Sequence, residues 1–228
     1  MTSNLLQSDP SSSESAHTRA TIDAAVVEIL AAAGLPRGQI NGPIIDQVGR
    51  GWYGRKAHDC TLIIDIRTLN FLPEKDRPDS TLRTWIHESL HARHPYSAGF
   101  DREWREQRGF EEGVAEGLTR LIVVESLALL PVITSYHFYV GAYRALAEVL
   151  EVDVEQLWRS LWNYPAGDAS TMLLPIVERI LRERGRAPLT PAQYARFSGL
   201  AVRHFTTDRI NDRPNEAVLA MAWGSVMR

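Results

Sequence analysis

The chain has 228 residues, 44% of them hydrophobic and 23% charged, with a formal net charge of −3. Those proportions suit one well-cored globular domain and exclude wholesale disorder, and the near-neutral balance predicts no nucleic-acid partner, since a binder concentrates Lys and Arg on one face. The single cysteine, Cys60, permits no internal disulfide and no thiolate cluster, and residues 1–17 lack the basic and apolar regions of a secretory signal, so the expected compartment is the cytoplasm.

Taken in chain order, "SDPSSSESAHT" is Ser-rich and nearly free of large apolar residues, which predicts a disordered arm over 1–17 and a single domain over 18–228. "TIDAAVVEILAAAGLP" has apolar residues at helical spacing and a Gly-Leu-Pro stop, the pattern of an amphipathic helix. "GPIIDQVGRGWYG" and "DCTLIIDI" are β-branched runs bounded by glycines and charges, expected as strands of a small sheet, with His58 and Cys60 as turn and strand residues. "NFLPEKDRPDS" is a turn-rich connector whose Asp79 or Ser80 can cap the next helix, which Pro95 ends.

Further helical patterns cover 105–129, 134–150, 153–162, 169–185, 190–207 and 214–224. Between Arg120 and Arg144 the chain is apolar for long enough to span a bilayer, but Glu125, Pro131 and His137 interrupt it. Two buried helices separated at Pro131 are expected instead, with no membrane contact. The fold class is α+β, predominantly helical, and the helical C-terminal portion from about 151 could form a subdomain.

"TWIHESLHARHP", Thr84 to Pro95, contains His87-Glu88-Ser89-Leu90-His91. In H-E-x-x-H two imidazoles four residues apart share one helical face and can ligate one zinc ion. At about 100° per residue, Glu88 lies a quarter turn from His87, near enough to reach a metal-bound water without being a ligand. Leu82, Trp85, Ile86 and Leu90 form the apolar arc of the same helix. His94 shares the histidine face but lies ~10 Å along the axis from His87, which leaves it a bystander, an outer contact or a substrate contact.

A third ligand is required, and "FEEGVAEGLTRL", Phe110 to Leu121, puts Glu112 and Glu116 four apart on one face, with Glu111 a quarter turn away. Gly113 and Gly117 each cost about 1 kcal/mol relative to Ala inside a helix. They predict a close approach of this helix to the motif helix.

These two stretches resemble the gluzincin branch of zinc metallopeptidases, in which H-E-x-x-H is followed on a second helix by a glutamate ligand, often in an E-G-x-A-E-like setting. Glu112-Gly113-Val114-Ala115-Glu116 stands here in that place. The resemblance implies a zincin-like core with one Zn2+ held by His87, His91 and Glu112, and Glu116 orienting a ligand histidine; Glu116 as the ligand itself is the alternative. It implies hydrolysis of a peptide or protein substrate by a metal-bound water that Glu88 activates. "TLIIDI" resembles the edge strand on which such enzymes pair with extended substrates. A tyrosine that assists the oxyanion recurs in related zincins, and Tyr136, then Tyr139, are the candidates, each equally suited to a core aromatic stripe.

The metzincin pattern is excluded, because it needs glycine at His94 and histidine at Ser97. Two other functions remain compatible with the same residues: a catalytically silent zincin-like binding or assembly component, as in a phage or toxin system, and a metal-dependent amidase acting on a non-peptide amide. The motif carries no signal of oligomeric state.

Overall fold

A computed structural model describes residues 11–41, 54–57, 60–64, 80–92, 100–125, 136–164, 169–205 and 216–228. The sequence readings placed on 42–53, His58, His94 and Pro131 lie outside the described residues. Among the described residues are eight helices and one two-stranded antiparallel sheet, a predominantly helical α+β arrangement. The elements are α1 (Ser11–Ala32), β1 (Gly54–Lys56), β2 (Leu62–Ile64), α2 (Ser80–His91), α3 (Phe100–Glu125), α4 (His137–Leu150), α5 (Val154–Trp162), α6 (Ala169–Glu183), α7 (Pro191–Phe205) and α8 (Glu216–Met227). No described helix is long and apolar enough to cross a membrane.

Helix α1 starts at Ser11, so residues 11–17 of the expected arm belong to it. Extending a nucleated helix costs little per residue, and "SSSESAH" contains neither Pro nor Gly to stop it. Its other end follows the sequence signal: Gly34 takes φ +68°, the Leu35 N–H donates to the Leu30 carbonyl at 2.8 Å and the Gly34 N–H to Ala31 at 3.0 Å. This Schellman closure satisfies carbonyls that the helix end would leave unpaired.

Strands β1 and β2 pair in the register Gly54↔Ile64, Arg55↔Ile63, Lys56↔Leu62. The Ala57 N–H donates to the Thr61 carbonyl at 2.8 Å and closes the hairpin, with Cys60 in the left-handed region at φ +66°. Of the expected first strand, Gly54 is the residue that enters β1, which continues to Lys56. β2 falls inside "DCTLIIDI" as expected, with Leu62, Ile63 and Ile64 all buried.

One continuous apolar cluster joins Leu30 of α1, Trp85 of α2, Leu118 of α3, Leu146 of α4, Trp158 of α5 and Trp223 of α8. The helices beyond residue 151 therefore share the core of the rest. α1 is also fixed to the motif helix α2 by polar contacts: Asp23 accepts from Trp85 Nε1 at 2.9 Å and from Arg37 Nη2 at 2.9 Å, and Arg37 Nη1 reaches Ser89 Oγ at 3.5 Å. Burial works against the Asp23 charge, but the bonds from Arg37 and Trp85 hold its carboxyl below the usual range.

Helix α3 is the axis of the packing, and its glycines explain how. A Cβ on Gly109 would lie 2.5 Å from the Tyr139 ring, one on Gly113 2.7 Å from Tyr143, and one on Gly117 2.3 Å from Trp158. The room left by Gly113 and Gly117 is thus filled by aromatic rings of α4 and α5; α3 does pack against the motif helix, but through Glu112 and Glu116, so the attribution of that approach to the glycines is corrected. The reason is rotational: Gly113 follows Glu112 by about 100° around the helix, so the face that turns Glu112 and Glu116 toward α2 turns the glycines toward another neighbour.

Candidate metal centre

Three side chains from two helices converge beside the core. His87 Nε2 lies 3.1 Å from Glu112 Oε2, His91 Nε2 lies 3.3 Å from the same oxygen, and the two Nε2 atoms are 3.2 Å apart. His87 and His91 face one way because they are four apart on α2, and Glu112 enters from α3. All are buried, His87 at 6%, His91 at 4% and Glu112 at 4% exposure. A tetrahedral ion with bonds of about 2.0–2.1 Å has ligand–ligand edges of about 3.3–3.4 Å, so the donor triangle matches one face of such a polyhedron to within a few tenths of an ångström. The donor set, two imidazole nitrogens and one carboxylate oxygen, is chemically able to hold a single ion.

The outward nitrogens of both rings meet a further carboxylate. His91 Nδ1 lies 3.4 Å from Glu111 Oε1, and His87 Nδ1 lies 3.5 Å from Glu116 Oε2, an ion-pair distance longer than a hydrogen bond. Glu116 is fully buried, accepts from Arg83 of α2, and accepts from Arg120 Nε at 2.8 Å. Arg120 Nη1 in turn donates to His137 Nδ1 at 3.1 Å. Glu116 is therefore bracketed by two guanidiniums, and the His87 ring lies between Glu112, at hydrogen-bond distance, and Glu116, at ion-pair distance.

The charges follow this geometry. Burial disfavours a protonated His87, but Glu112 and Glu116 outweigh it and raise its pKa to about 10. Burial likewise opposes His91, and Glu112 with Glu111 raises it to about 8. For Glu112, burial is overcome by the two imidazoles, which hold the carboxyl well below its ordinary range. Glu88 moves the opposite way: burial pushes its carboxyl up, against the pull of both histidines.

Glu88 does not join the donor triangle but sits next to it on α2, with its stem against Gly54 of β1 and its carboxylate accepting the Lys56 backbone N–H. Tyr136 stacks on the His87 ring, with centroids 5.5 Å apart and planes 5° from parallel. The charge of Glu112, with burial, raises its pKa, so the phenol keeps its proton. Tyr139 stacks on Tyr136 at 6.4 Å but is itself core, packed on Gly109, Gly113 and Phe205. The strand that meets Glu88 is β1; β2, which lies within "TLIIDI", pairs with it and has Leu62, Ile63 and Ile64 buried.

No known family model, curated protein or solved structure matches this chain.

The residues missed from sequence are Glu111, Arg83, Arg120 and the β1 backbone. Two of them carried a readable signal, because Arg83 precedes His87 by four residues and Arg120 follows Glu116 by four, the spacing of shared helical faces. Glu111 and β1 carried none, since their roles depend on how α2 meets α3 and the hairpin.

Proposed function

We propose that this protein is a zinc-dependent metallopeptidase of the gluzincin type with a zincin-like core. The observation that carries the reading is the triangle of His87 Nε2, His91 Nε2 and Glu112 Oε2, with edges of 3.1, 3.2 and 3.3 Å, beside a buried Glu88.

His87, His91 and Glu112 would hold the ion, and Glu111 and Glu116 fix the two rings that present their Nε2 atoms to it. Zinc, when bound, supplies a Lewis acid that polarises a water and the scissile carbonyl. Glu88 takes a proton from the attacking water and delivers it to the leaving amine nitrogen as the C–N bond breaks, so one carboxylate serves as base and then as acid. Burial pushes its carboxyl up from the ordinary range, the direction that favours taking up a proton. Tyr136, protonated beside His87, donates to the oxygen that gains charge when the carbonyl is attacked.

Metal analysis paired with mass spectrometry of a peptide library tests the reading. The wild type is expected to carry one zinc per chain and to cleave; Glu88→Gln keeps the zinc and loses roughly 10²–10⁴-fold in rate. Stoichiometric zinc without cleavage of any peptide would move the assignment to a non-peptide amide or to silent binding. Zinc at wild-type affinity in Glu112→Ala would overturn the ligand set.

A further inference from the structure

Strand β1 does more than pair with β2. The Ala57 N–H bonds the Thr61 carbonyl, so 57/61 is a hydrogen-bonded pair. By the alternation of an antiparallel ladder, Lys56/Leu62 and Gly54/Ile64 are then non-hydrogen-bonded pairs, whose N–H and C=O groups point away from β2. The outward N–H of Lys56 is the one that meets the Glu88 carboxylate. At Gly54 a Cβ would stand 2.8 Å from Glu88 Cγ, 3.3 Å from Glu88 Cδ and 2.9 Å from Thr84 Cγ2. Contacts under about 3.0 Å cannot be kept, so any side chain here displaces the stem of Glu88 or the strand itself.

We propose that β1 is the positioning element for the general base: Gly54 leaves the room in which the Glu88 stem lies, and the Lys56 N–H holds one carboxylate oxygen, leaving the other to receive the proton. The role given to Glu88 rests on the peptidase reading; the anchoring of its carboxylate does not. Gly54 is in this sense a positioning residue, acting on catalysis through Glu88, and an error of about 1 Å in such a group is enough to cost roughly 10²-fold in rate.

Two measurements on the full chain test this separately. Amide hydrogen exchange by NMR reads the anchor without any turnover: Lys56 is expected to be protected although its N–H faces away from β2, and Glu88→Ala speeds its exchange by about 10-fold or more, while Ala57, bonded within the hairpin, is unchanged. Gly54→Ala is expected to expose the Lys56 amide in the same way and to keep zinc affinity within about threefold, since it touches no ligand. In peptide cleavage, Gly54→Ala lowers kcat by roughly 10–100-fold with KM within about threefold, and Gly54→Ala/Thr84→Ser, which removes the Cγ2 contact, recovers part of that loss. If Gly54→Ala fails to fold, Glu88→Ala decides alone. A Lys56 amide whose exchange is indifferent to Glu88→Ala overturns the proposal, as does wild-type kcat in a folded Gly54→Ala. Absence of turnover in the wild type would instead count against the peptidase reading, with the exchange result still deciding the anchor.

Discussion

Glu111 illustrates what a single residue contributes here. It sits beside Glu112, the proposed third ligand, in sequence, yet its carboxylate goes to the far nitrogen of His91 at 3.4 Å and orients that ring. Glu111→Ala is expected to weaken zinc binding by roughly 10–100-fold, the usual effect of losing such a partner, without abolishing it; isothermal titration would read this, and unchanged affinity would remove Glu111 from the site. The histidines set a pH dependence with a defined sign. Their folded-state values, about 10 for His87 and about 8 for His91, lie above the ordinary 6.5. Their contribution to stability is fully present below pH 6.5 and is lost as pH rises through about 8 and then about 10. Chelator-treated protein should therefore melt at a lower temperature at pH 9 than at pH 6.5. Zinc affinity should rise over the same interval, because the ion replaces those protons. Thermal melts and zinc titrations at the two pH values check both signs, and an alkaline gain in metal-free stability would contradict the charge assignment.

At the scale of elements, α3 serves two neighbours with two faces. Its carboxylates meet α2, and its glycines receive Tyr139, Tyr143 and Trp158. Replacing a helical glycine by alanine ordinarily gains about 1 kcal/mol, so the sign at Gly117 is informative. With Trp158 atoms 2.3 Å from the new Cβ, Gly117→Ala is expected to destabilise by about 1–3 kcal/mol, read as a lower Tm in thermal unfolding. A stabilised Gly117→Ala would show that the rings are not packed as described. The same helix shows what was legible in advance. Periodicity located it, at 100–125 against an expected 105–129, and four-residue spacing put Glu112 and Glu116 on one face. Periodicity gives the angle between two faces but not the element each one meets, so it does not tell that the glycines receive the rings of α4 and α5 or that Glu111 meets His91. The hairpin was legible in "DCTLIIDI" as a strand, whereas the place of β1 beside Glu88 depends on tertiary packing that no local pattern encodes.

In the whole molecule, the site is held from several sides by one core. α1 is bonded to α2 through Asp23, Arg37 and Trp85, and the helices after residue 151 place Trp158 against α3 and Trp223 in the same apolar cluster. A chain ending at residue 150 would expose the core faces of α3 and α4, including Leu118 and Leu146, both fully buried in the intact protein. It is expected not to fold cooperatively, and a cooperative melt of residues 1–150 with native near-ultraviolet dichroism would reveal an independent N-terminal unit. The central claim is narrower, that two imidazoles of α2 and one carboxylate of α3 hold a single ion. Anomalous diffraction at the zinc edge from crystals of the zinc-loaded protein measures it most directly. One peak about 2.0–2.2 Å from His87 Nε2, His91 Nε2 and Glu112 Oε2 is the predicted result; a stoichiometric zinc bound elsewhere, or no peak among these three atoms, would contradict it.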